Sequence, residues 1–311
     1  MSQVLEVRDK IRDFLRKYDE ITSPLLRFLL AYILFTSINS MFGYSEFLSK
    51  GIVLFLLSVI CALVTNSVIV FIGGICIVLH CFSVSVEVGI VSVLFFVAMY
   101  CLYLRMFSHC SYVLMIVPVL FLLKIQFAAP IIVGIFAGMA GIVPMAFGVV
   151  MFYFAKSVED VSKILKTATE DELKKFQAYE YIVDAIVKNK ELLLIIVSFA
   201  VVVVITYLIY KLPFNYSWYV AIGVGGLSTI LVFMVCGIML EIPVNIGSVV
   251  VGALVGTIIA TVIQMCKSMV DYSKKESVQF EDDDYYYYVT AIPKYNMSTK
   301  KKSVKKMTEE E

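Results

Sequence analysis

Few side chains in this sequence could do chemistry, and their spacing limits what they could do together. Cys76 and His80 stand four apart with Cys81 adjacent, in a run that reads as helix. Residues four apart share a helix face, so this pair could give a metal two ligands, whereas a closed zinc site takes four. A histidine packed near a membrane interface is the simpler reading. Glu281 to Asp284 put four carboxylates in a row. They could draw a divalent cation, yet they lack the glycine and terminal glutamate of a calcium loop. The acids Glu46, Glu87 and Glu241 stand alone, at the ends of different apolar runs. There are only two His residues, and no HExxH, phosphate loop, G-x-S-x-G or dinucleotide fingerprint. The expectation is a chain that is not an enzyme and takes no cofactor or metal.

Lys124 is more telling. It lies six residues before Pro130, in a stretch broken by Pro118, Pro130 and Pro144 and loosened by Gly134, Gly138, Gly141 and Gly148. An ionisable group at membrane depth is costly unless it snorkels, pairs or lines a polar cavity. Lys124 therefore either reaches the outer interface or joins Pro130, Gly134, Gly138, Gly141 and Pro144 around a cavity between short helices. Glu87, on the same expected side, is then a partner for it. Interrupted helices are how many transporters expose backbone groups to a substrate. Small residues four apart, as at Gly134 and Gly138 or Gly252 and Gly256, equally allow plain close packing.

The elements that position these residues follow from composition. Of the 311 residues 60% are hydrophobic and 16% charged, with a mean hydropathy of +0.90. That is too little polar surface to cover a soluble fold. A disordered chain, a nucleic-acid-binding domain and a conventional soluble enzyme are excluded, leaving an all-α polytopic membrane bundle. The seven Cys are odd in number and sit in or beside apolar segments, where they read as small hydrophobes. The first apolar stretch follows a charged segment without a small-residue cleavage pattern, so it is expected to stay as an anchor.

Charge divides the chain. Residues 28–155 carry only Glu46, Lys50, Glu87, Arg105 and Lys124, and residues 192–266 only Lys211 and Glu241. This gives a helix at 1–20, a first transmembrane block at 21–155 with broken helices at 112–155, and an amphipathic island at 156–191. A second block at 192–266 and a tail at 267–311 follow. A bilayer needs roughly 20 helical residues per span. Helices are expected near 24–41, 46–64, 67–84 and 86–104, then 192–210, 217–240 and 246–266. The pieces 112–126, 128–141 and 144–155 are too short for full crossings. About eight spans plus a broken or re-entrant hairpin result.

Lys and Arg accumulate on the cytoplasmic side, and they cluster at Arg8 to Arg27 and again at Lys267, Lys274 and Lys275. Both termini are thus expected on the cytoplasmic side of a cell membrane, with the 211 hinge on that side. Glu87, Glu241 and the 156–191 island are expected outside. That arrangement requires an odd number of crossings between Arg105 and Lys156, which favours the broken-helix path.

The islands carry the expected partners. Val4, Val7, Ile11, Phe14 and Tyr18 form an apolar stripe suited to the membrane surface or to a pairing helix. Ser157 with Asp160, and Thr169 with Glu172, have the spacing of capping boxes, so 156–191 reads as two helices. Leu173, Phe176, Ile182, Val183 and Ile186 would be the apolar stripe of the second. In the tail, Val278 to Pro293 has strong β-propensity around an acidic cluster. Phe280, Asp282, Asp283, Tyr286, Tyr288 and Ile292 are the candidate partner-binding residues, by strand addition or docking on the protein's own face. The lysine run at 300–306 suits anionic lipid.

The FEDDDYYYYVTAIPK run at 280–294, the PIIVGIFAGMAGIVPMAFGVVMFYF block at 130–154 and the NYSWYVAIGVGG turn at 215–226 carry a resemblance. They are similar to a family of multi-pass membrane proteins of clostridial Gram-positive bacteria. The resemblance covers most of the chain from about residue 105 and implies a cytoplasmic tail, with no activity attached. The leading functional expectation is a transport-related permease or substrate-binding membrane component built around 112–155. The alternative is a non-catalytic scaffold that anchors envelope or division machinery through the N-terminal helix and the tail.

Overall fold

The computed structural model describes residues 18–101, 110–167, 177–213, 216–267, 276–281 and 286–291. The chain divides into two units, one of Ser23–Thr261 and one of Met1–Thr22 with Val262–Glu311. The apolar runs are helical. They form α1 (Asp19–Met41), α2 (Gly51–Ala62), α3 (Asn66–Val84), α4 (Val86–Met99), α5 (Ser111–Leu122) and α6 (Ala128–Phe136). A 3-10 turn at Gly138–Gly141 leads into α7 (Ile142–Thr167), α8 (Ala178–Val187), α9 (Lys190–Tyr210), α10 (Ser217–Met239) and α11 (Ile246–Lys267). Among the described residues, six helices are long and apolar enough to cross a bilayer: 20–41, 66–84, 138–167, 190–210, 217–239 and 246–264. The apolar helices 51–62, 86–99 and 112–122 are shorter. This is the helical membrane architecture that the composition requires.

Side chains at the breaks explain where helices start and stop. Ser85 caps α4 by accepting a hydrogen bond from the Val88 N–H at 3.2 Å, and Glu87 adds a negative charge to the first turn. Asn189 caps α9 in the same way through the Leu192 N–H. Two helices end on charged residues in the left-handed conformation, Lys124 after α5 (φ 59°) and Glu241 after α10 (φ 56°). In each, the next N–H reaches back five residues, Ile125 to the Leu120 carbonyl and Ile242 to the Gly237 carbonyl. This is the Schellman ending, which satisfies carbonyls that a helix leaves open.

The broken stretch departs from expectation in one respect. Short helices do replace 112–126 and 128–141, but the third piece does not end near 155. It continues as α7 through Lys156 to Thr167, so the composition boundary at 155/156 falls inside a helix. The reason is amphipathicity. Beyond Lys156, α7 keeps Val158 and Val161 buried while Lys156, Glu159 and Lys163 face outward. Ser157 accordingly is not an N-cap; its hydroxyl donates to the Tyr153 carbonyl at 2.9 Å within the helix. The Thr169 and Glu172 box, Leu173, Phe176 and the 1–17 part of the N-terminal helix lie outside the described residues.

Within the Ser23–Thr261 unit, contacts sort the loops to two ends. At one end the Ser45 N–H donates to His80 Nδ1 (3.1 Å) and the Ala178 N–H donates to Glu87 (3.2 Å). At the other, Arg27 Nη1 donates to the Val64 carbonyl, and Met99 packs with Val70 and Leu114. Helices α5 and α7 run parallel, since the Gly148 backbone meets Val117 while Phe121 lies 4.7 Å from Phe152, ring to ring. The nine-residue α6 lies between them in the chain. Glu87 and the 178–187 helix share one end, as the parity argument requires.

Helix α7 joins two apolar cores. Its Met145, Val149 and Tyr153 pack with Val117, Phe121, Phe127, Phe199 and Phe233. Its Phe154, Val158 and Val161 pack with Phe35, Ile69, Val88 and Ile182. Phe154 stacks on Phe95 at 5.0 Å with the rings 3° from parallel.

In the other unit the tail is a hairpin rather than a single strand. β1 (Glu276–Glu281) pairs antiparallel with β2 (Tyr286–Ala291), with Phe280 opposite Tyr287 and Gln279 opposite Tyr288. The preceding segment supplies the tyrosine strand's partner, and Tyr286 is exposed. Asp282, Asp283 and Ile292 lie outside the described residues.

Candidate functional site

Among the described residues, those expected around one cavity stand at different places in the fold. Lys124 is exposed at the α5–α6 turn. Pro130 is buried in α6, and Pro144 is buried at the start of α7. Glu87 stands at the start of α4, and its carboxylate takes the Ala178 N–H rather than Lys124. The helix N-terminus of α8 offers an amide and a positive dipole end, which holds a carboxylate without a cation.

The glycines of the group are packing surfaces. A Cβ at Gly134 would stand 2.9 Å from the Thr206 Cβ, and one at Gly225 2.7 Å from the Thr206 hydroxyl. Gly138 takes φ 62° beside the Tyr207 ring, and Gly141 lies against Val133 and Ala137. On α11, a Cβ at Gly256 would come 2.8 Å from the Ala128 backbone nitrogen. Helices α9, α10 and α11 thus close directly on the short helix α6, whose own Ala128, Ala129, Ile131, Val133 and Ile135 are buried.

Sequence reasoning missed Thr206 inside this seam and Ser198 on the same helix. Both are fully buried, and neither hydroxyl has a hydrogen-bond partner among the described residues. They lie eight apart on α9, hence on one face. The readable signal was their isolation in the long apolar run of α9; its weakness is that Ser and Thr are ordinary in membrane helices.

Compared with protein-family models, curated proteins and solved structures, the chain matches none of them. His80 is buried and its Nδ1 is occupied by the Ser45 N–H. Cys61, Cys76 and Cys81 are free thiols buried among apolar side chains. Among the described residues no group of three or more His, Cys, Asp or Glu could hold a metal ion.

Two features remain outside the seam. Tyr44, in the loop after α1, has its hydroxyl pushed up to about 12, first by burial and then by Glu159. A cleft of about 520 Å³ opens between α4 and α8, with Glu87 and Tyr179 among its lining residues. The Tyr179 hydroxyl is raised first by the charge of Glu180 and then by burial, with Glu87 contributing last.

Proposed function

We propose that the chain is a membrane scaffold, an anchored bundle that presents its tail hairpin to a protein partner rather than a conduit for solute. The observation that carries this reading is the filled seam around α6. Where a conduit needs a polar cavity, Gly134, Gly225 and Gly256 bring backbone and side chains into contact. The broken helix then serves as a packing device: short α6 lets α9, α10 and α11 approach from three sides. The hairpin supports the partner-binding half of the reading, because a lone two-stranded hairpin is marginal in water and its outer edges accept a further strand.

In this reading α2 and α4 are short spans, α5 and α6 form the re-entrant hairpin, and the total is about eight spans. Both termini are cytoplasmic, with Glu87 and α8 on the outer face. Kinship with the clostridial multi-pass proteins belongs to the same proposal. A small thiol reagent offered to Thr206→Cys tests it, since a scaffold core keeps the reagent out and a conduit admits it.

A further inference from the structure

The cleft between α4 and α8 differs from the other surface grooves in having a charged end. Its walls are apolar, with Ile90, Leu94 and Phe95 from α4, Phe154 from α7, and Ile182 and Val183 from α8. From Glu87 to Leu94 is seven residues, about 10 Å of depth along α4. The rim is open to the surroundings: Ile90, Leu94 and Val187 are 52%, 65% and 75% exposed. In water such a rim would be costly; beside a bilayer it meets acyl chains.

The end nearest the interface is acidic. Glu87 spends one oxygen on the Ala178 N–H. The Tyr179 hydroxyl lies 2.8 Å from Gln177 Oε1 and 3.2 Å from Glu180 Oε1. Glu87 and Tyr179 line that end of the cleft, and the Glu180 carboxylate stands beside the Tyr179 hydroxyl, so two acidic side chains flank the mouth. An acidic mouth repels an anionic headgroup and favours one bearing an ammonium, which has three donors for those oxygens.

We propose that this cleft binds a membrane lipid with a primary amine headgroup, one acyl chain lying between α4 and α8 and the ammonium at Glu87 and Glu180. The inference needs only the membrane setting, so it stands for a scaffold and a conduit alike.

The test uses the full chain, purified in detergent and offered equal amounts of phosphatidylethanolamine, phosphatidylcholine and phosphatidylglycerol, with retained lipid counted by native mass spectrometry. The ethanolamine lipid is expected to be retained over both others. Glu180→Gln, at an exposed position, should cut that preference by about threefold without abolishing retention. Leu94→Trp with Val183→Trp, which fills the cleft, should abolish it. Retention of the glycerol or choline lipid equal to that of the ethanolamine lipid overturns the proposal. So does a preference that survives both the Glu180 and the cleft-filling variants.

Discussion

The Glu87 carboxylate accepts a hydrogen bond from the Ala178 backbone N–H at 3.2 Å, tying the first turn of α4 to the first turn of α8 across 91 positions. One charged group thereby serves two helix N-termini, since Ser85 and Glu87 also open α4. Glu87→Ala removes both the hydrogen bond and the charge, and should loosen α8 by about 1–2 kcal/mol. Glu87→Gln keeps an acceptor and should cost less. Hydrogen exchange of the 178–187 amides reads this directly, with faster exchange in the order alanine, glutamine, wild type.

Gly256 faces the Ala128 backbone, which cannot move aside as a side chain can. Gly256→Ala should therefore destabilise the seam by about 1–3 kcal/mol. Gly223, with open space where a Cβ would go, is the control. Gly223→Ala should be neutral or stabilising by up to about 1 kcal/mol. Unfolding midpoints of the two variants in one detergent separate them.

Glu241 holds a left-handed φ of 56° at the C-terminal end of α10, where the helix dipole also disfavours a negative charge. Glu241→Gly removes both penalties and should raise stability by about 1 kcal/mol. Thermal unfolding against wild type checks it, and no gain would mean that the carboxylate makes a compensating contact.

How much of this was legible in the sequence varies with the physics involved. The breaks at Thr65, Lys211 and Glu241 were readable because polar and charged groups interrupt the apolar runs there. Charge and parity called for an odd number of crossings between Arg105 and Lys156, met by three short segments or by one span with a re-entrant hairpin. Ser157 was misread because the spacing of a capping box also occurs inside a helix, where the hydroxyl bonds back to Tyr153. Glu87 was readable as an isolated acid, but its partner was not, because a backbone amide leaves no mark in composition. The filled seam was written in Gly134 and Gly256, yet the same glycines fit an open cavity until Thr206 and Ala128 are seen against them.

Tyr44 gives a pH dependence with a definite sign. Its hydroxyl is raised from 10.0 to about 12 by burial and by Glu159. The neutral form is the one the fold favours, so its contribution is complete below pH 10 and is lost as pH rises through about 12. The phenolate absorbance of wild type minus Tyr44→Phe should show this late ionisation, and a difference curve centred near pH 10 would contradict it.

The central claim is that the seam around α6 is closed to solute. It is tested by placing Ser198→Cys and Thr206→Cys one at a time in a chain whose seven native cysteines are replaced, with exposed Lys124→Cys as the reactive control. A small water-soluble thiol reagent is then applied to each face of the native membrane. The account predicts modification at position 124 and none at 198 or 206 until the protein is denatured. Labelling at 198 or 206 in the folded protein, from either face, would contradict it and restore the conduit.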